Sequence, residues 1–255
     1  MGGTLSSGPV LPRGFFGRPS QEVAPDLLGC VLSHDAPDGV VAVLITEVEA
    51  YAGAADAASH AFRGRTARTA VMFGEPGHAY VYFTYGMHFC VNLVCLPAGT
   101  ASAVLLRAGR VTEGAMLAAA RRAAASPAGR AAAGPGGAAG PETGTRRAAR
   151  TGIGERDLAR GPARLCQALG IGRSLNGADV CDPGSPLRIS GPGRVVPPAD
   201  VQRGPRVGIS RAAEVPWRFW IAGDPTVSPY RPHAPRRAAA KAVSAPARDG
   251  GTMQP

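Results

Sequence analysis

Apolar and β-branched residues in the N-terminal half fall into short runs broken by Gly, Pro and Asp, the pattern of strands joined by turns. Residues 40–51, VVAVLITEVEAY, are the longest such run, opened by a Pro-Asp-Gly turn at 37–39. HAYVYF at 78–83 and MHFCVNLVCL at 87–96 flank Thr84-Tyr85-Gly86 and read as a hairpin, Gly86 supplying the positive φ of a tight turn. ASAVLLRAG at 101–109, LRISG at 187–191, RVGIS at 206–210 and WRFWIAG at 217–223 are further expected strands. Helical spacing is confined to three places. Residues 19–28 lead through Gly29 into a strand, and 112–125, TEGAMLAAARRAAA, open on a Thr cap. GPARLCQALGI at 161–171 has Pro162 for a first turn and Gly170 for a stop.

Two stretches break the pattern. From 126 to 152 the chain is Ala, Gly, Pro and Arg with almost no large apolar residue, too little to offset ordering entropy, so a disordered insertion is expected. The ends, 1–13 and 233–255, are expected to be mobile, leaving one domain over 14–232. No apolar run is long enough for a bilayer, and no signal pattern opens the chain, so a cytoplasmic location is expected, with no membrane partner. Five scattered cysteines without a CxxC pair read as reduced, buried thiols rather than a disulfide framework or zinc site.

The net charge of +10 is carried by 27 arginines and the single lysine, Lys241, and gives a field that attracts polyanions. Within it, TEVEAY at 46–51 places Glu47, Glu49 and Tyr51 on one strand face. Two buried carboxylates must be neutralised or used, so salt bridges to arginine and acid–base chemistry both remain open at this point. Aromatic residues are 5% of the chain, yet three of its five tyrosines lie within 80–85. Tyr80 and Tyr82 share a strand face, as core or as a stacking wall, and Tyr85 falls in the turn. Arg63, Arg65 and Arg68 are either phosphate contacts or a solvated basic loop.

Residues 45–73, 77–92 and 103–108, followed by GPARLCQALGI, RVGI and PWRFW, resemble in order and spacing the alkyladenine (3-methyladenine) DNA glycosylases of the mammalian type. The resemblance implies an α+β fold: one domain with a curved, mostly antiparallel β-sheet, surrounding helices and a protruding hairpin, without a helix-hairpin-helix. It implies an enzyme that flips damaged purines out of duplex DNA and hydrolyses the N-glycosidic bond, leaving an abasic site. Glu49 matches the base that activates water, and Arg107 and the Val207 carbonyl match groups holding that water. Tyr51, His60 and Tyr82 match the pocket around the flipped base. Asn92 matches a residue that excludes the guanine 2-amino group, and Tyr85 the intercalating wedge. His34, His78, His88 and His233 have no such support and read as structural.

Nothing in the sequence suggests a metal or an organic cofactor, and a monomer acting on double-stranded DNA, nucleoid-associated when bound, is expected. The sole lysine lies in the tail, which argues against an amine nucleophile and for hydrolysis by water alone. A non-catalytic nucleic-acid-binding module and a hydrolase of free nucleosides are the rival readings. A carboxylate in a polyanion's cleft disfavours the first, and a tyrosine at a hairpin tip disfavours the second.

Overall fold

The structure, a computed structural model, describes residues 8–84, 86–126 and 152–233. Among the described residues, nine antiparallel strands form one sheet around two long central strands, β2 (Gly39–Tyr51) and β5 (Ser102–Glu113). The main path adds β1 (Val31–Ala36), β3 (Ala79–Thr84), β4 (His88–Cys95) and β7 (Leu187–Ser190) in the order β3-β4-β5-β2-β1-β7. The two-residue β6 (Ala159–Arg160) pairs with β5. The late strands β8 (Val201–Gly204) and β9 (Arg218–Ile221) attach through β9 to β2. The sheet therefore forks: β1 covers β2 over 39–44, whereas β9 pairs with it at 47–49. The fold is α+β, one open antiparallel sheet with few helices and no barrel closure.

Residues 41–50 of β2 are all buried, which explains the apolar run Val41–Ile45. Its core partners include Leu106 on β5 and Leu165 and Leu169 on a helix at Pro162–Leu169. Of the helices, α1 is Arg13–Phe16, α2 is Ser20–Asp26, α3 is Ala115–Ala124, and α4 is the one at Pro162–Leu169. Pro162 opens α4 and Gly170, at φ 70°, ends it, as the sequence predicts. A second small cluster, with Met72, Tyr80 and Val94, sits beneath the hairpin.

The hairpin forms over β3 and β4 with Thr84 opposite His88, and Gly86 has φ 66°. Tyr85 lies outside the described residues, as do 127–151, most of the expected insertion, and the tail with Lys241. Two expectations fail. Thr112 does not cap α3, because β5 continues to Glu113 and the helix starts after Gly114 at φ 71°. Residues 206–210 are a loop rather than a strand. Pro205 lacks an N–H for a ladder, Gly208 has φ 72°, and the Arg206 side chain turns inward instead of alternating.

Candidate active site

The pairing of β2 with β5 is irregular where the charges lie. Register shifts fall between Ile45 and Glu47 and again between Glu47 and Val48. One extra residue on each strand, Thr46 and then Arg107, lets Arg107 turn toward both glutamates. Its Nε donates to Glu47 Oε1 at 2.8 Å, and its Nη1 lies 3.1 Å from Glu49 Oε1.

The two glutamates, both fully buried, meet different fates. Glu47 also accepts from Arg218 Nε at 2.7 Å and from the Ser228 N–H and hydroxyl at 2.7 and 2.8 Å. Burial alone would push its carboxyl up, but Arg107, Arg218 and Ser228 together hold it below the usual carboxylate range. Burial opposes the charge of Arg107, and Glu49 and Glu47 outweigh it, so this guanidinium stays protonated with a raised pKa. Glu49 instead lines a cleft. It accepts from the Tyr51 hydroxyl at Oε2, 2.8 Å, and from the Val207 N–H at Oε1, 2.7 Å. The Val207 N–H thus bonds Glu49 directly.

Glu49, Tyr51 and Arg107 form one side of a cleft of about 300 Å³. Tyr82, Cys90 and Asn92 on β3 and β4 form a second side, and Ala58, Ser59 and His60 a third. Pro162 and Ala163 at the start of α4, with Val207, Gly208 and Ile209, complete it. The Tyr82 ring stacks on buried Tyr80 at 5.3 Å between centroids and 22° between planes. The His60 ring meets Tyr82 edge-on at 4.6 Å and 79°, and its Nδ1 lies 3.3 Å from the Tyr80 hydroxyl. Although His60 is solvent-accessible, the crowded walls desolvate it, and with Arg68 nearby its pKa falls below the ordinary histidine value. Desolvation, reinforced by Glu49, raises the hydroxyl of Tyr51 well above its usual range, and desolvation with Cys90 does the same for Tyr82. Burial pushes the Cys90 thiol up to about 11, which leaves it unreactive. Asn92 is buried with no partner for Oδ1 among the described residues.

A carboxylate at the wall of an aromatic slot can take a proton from water and stabilise a cation forming beside it. The slot's aromatic lining, Tyr51, His60 and Tyr82, suits a flat ring. Among the described residues, no group of three or more His, Cys, Asp or Glu could hold a metal ion, and no helix is long and apolar enough to cross a membrane.

The family described as methylpurine-DNA glycosylase (MPG) matches residues 14–225. The chain belongs to that family. As a member it is a DNA glycosylase, a hydrolase of DNA repair. Relatives bearing the curated name "Putative 3-methyladenine DNA glycosylase" run through bacteria and archaea. The Streptomyces avermitilis protein is 53% identical, over 89% of this chain and 94% of its own length. The Leifsonia xyli protein is 50% identical, covering 87% of this chain and 92% of itself. The Methanocella arvoryzae protein is 41% identical, covering 88% and 98%.

The cleft of this glycosylase brings together Glu49, Arg107, Val207, Tyr51, His60, Tyr82 and Asn92. It also takes in residues that sequence reasoning passed over. His88 lines the cleft, on the same β4 face as Cys90 and Asn92, although it reads as structural from sequence. Period-two alternation from Asn92 was the signal that could have placed it there. Arg206 and Asp56 form a buried pair; both lie in stretches that carry the resemblance, RVGI and residues 45–73, but neither matches a site residue.

Proposed function

We propose that this chain removes 3-methyladenine and other alkylated, deaminated or etheno purines from double-stranded DNA. The reading rests on one observation: the carboxylate of Glu49 stands in the wall of the cleft that also holds Tyr51, His60 and Tyr82. The lesion leaves the base stack, because the glycosidic bond is out of reach within it. Tyr82 and Tyr51 then offer π-faces, which favour the electron-poor or cationic ring of an alkylated purine. Water held near Glu49 and Arg107 attacks C1′ of the deoxyribose. The C1′–N bond breaks with its electrons passing to the base, and Glu49 takes the proton of the water. Positive charge developing on the sugar is met by the same carboxylate. Asn92, which lines the cleft, excludes a purine carrying a 2-amino group. Tyr85 in the hairpin turn acts as the wedge that fills the vacated stack.

The enzyme acts as a monomer on DNA in the cytoplasm, where it associates with the nucleoid. Its product is an intact strand with an abasic site. Incubating it with a duplex carrying a single lesion tests this. The lesion strand should break only after alkali treatment, and borohydride should trap no covalent protein–DNA adduct. Breakage without alkali, or a trapped adduct, would contradict hydrolysis by water.

A further inference from the structure

We infer that Arg206, held by Asp56, is a positioning residue that aims the carboxylate of Glu49, an inference resting on the function proposed above. Arg206 is among the largest fully buried side chains of the protein. Its Nη1 donates to Asp56 Oδ2 at 2.5 Å and Nη2 to Oδ1 at 2.9 Å, a two-toothed ion pair. The same two nitrogens donate to the Ala50 carbonyl at 3.0 Å and the Ala212 carbonyl at 3.3 Å. The guanidinium plane is flanked by rings, 4.7 Å from the centroid of Tyr51 and 5.2 Å from that of Trp217.

What makes this more than a buried salt bridge is the identity of the neighbours. Glu49 accepts on Oε2 from Tyr51, whose ring lies on the Arg206 guanidinium. It accepts on Oε1 from the N–H of Val207, the residue bonded to Arg206. Beside the ion pair with Arg107, both hydrogen bonds that Glu49 accepts therefore come from neighbours of Arg206, one stacked on its guanidinium and one joined to its backbone. Asp56 extends the brace to the opposite wall, because it accepts from the N–H groups of Ala52 and Ala58, and Ala58, Ser59 and His60 line the cleft. Three walls of the cleft, from β2, the 52–60 loop and the 205–212 loop, are tied at one point. A lysine there would keep the charge but lose the planar fork and the ring stacking.

The test uses the full chain with Arg206→Lys and, should that variant not fold, the isosteric Asp56→Asn. Single-turnover excision of a cationic alkylated purine from duplex is measured with enzyme in excess, and affinity is measured on a duplex carrying a tetrahydrofuran abasic analogue. The expected result is an excision rate at least about 10-fold lower, since small misplacements of a reacting group are costly in rate. The analogue affinity should stay within about 2-fold, the limit for sites that do not couple. Ile189→Ala, a core truncation on β7 away from the cleft, supplies the control for lost stability and should keep the wild-type rate well below its melting temperature. In a Glu49→Gln background, Arg206→Lys should change the residual rate by less than about 2-fold, because it acts through that carboxylate. A wild-type rate in Arg206→Lys, an equal loss in Ile189→Ala, or an undiminished loss in the Glu49→Gln background would overturn the brace. Full activity of Glu49→Gln alone would instead remove the catalytic reading on which the brace rests.

Discussion

Glu47 and Glu49 are two residues apart on one strand and equally buried, yet one is saturated by two arginines and Ser228 while the other stands at the cleft. The two readings that TEVEAY left open divide between them: Glu47 is the structural ion pair and Glu49 is the proposed base. Glu47→Gln should leave Arg107 and Arg218 undercompensated and cost about 3–5 kcal/mol, seen as a lowered melting temperature. The folded-state carboxyl of Glu47 lies below its unfolded value. Its contribution is therefore present above the ordinary Glu value, roughly pH 4.3, and is lost as pH falls through the lower folded value. The stability gap between wild type and Glu47→Gln should shrink on acidification below that point. A gap that widened would mean the carboxylate is not stabilised by its arginines. Sequence could place both side chains on one face through period-two alternation. It could not show which of them the arginines claim, since that follows from the strand irregularity at Thr46 and Arg107 and from Arg218 and Ser228, far along the chain.

At the scale of elements, the hairpin and α4 were legible because each carries its own signals. Alternating aromatics around Gly86 mark the hairpin, and Pro162 and Gly170 bracket the helix. Residues 206–210 were misread because Val and Ile there suggest a strand, while tertiary contacts of Arg206 with Asp56 and two carbonyls determine the path. Similarly, the Thr-Glu pair at 112–113 resembles a helix cap but is captured by the β2–β5 ladder, where Glu113 sits opposite Ala42. The hairpin's proposed role has an element-level consequence. Tyr85→Ser would remove the proposed wedge, so excision from duplex DNA should fall by a larger factor than affinity for the free damaged base. Equal retention of both would end the wedge proposal.

For the whole molecule, the resemblance implied a curved, mostly antiparallel sheet, but the fork that joins β8 and β9 to β2 was not readable. Nothing local says that residues more than 150 positions apart, such as Glu49 and Val207, will meet; that pairing comes from the return of the chain through β9. The net charge of +10 acts at this scale as well. Binding to undamaged duplex should weaken with salt, with log Kd linear in log salt concentration at a slope of about 0.9 per phosphate neutralised. Arg65 is exposed beside the cleft loop, and Arg65→Ala should reduce that slope by about 1 without altering lesion preference. An unchanged slope would assign Arg65 to solvent.

The account depends most on what Glu49 does, and a single comparison addresses it. Single-turnover excision of hypoxanthine from a defined duplex should fall by about 10²-fold or more in Glu49→Gln, with the melting temperature and duplex affinity near those of wild type. Excision by Glu49→Gln at the wild-type rate would contradict the assignment of this carboxylate as the base.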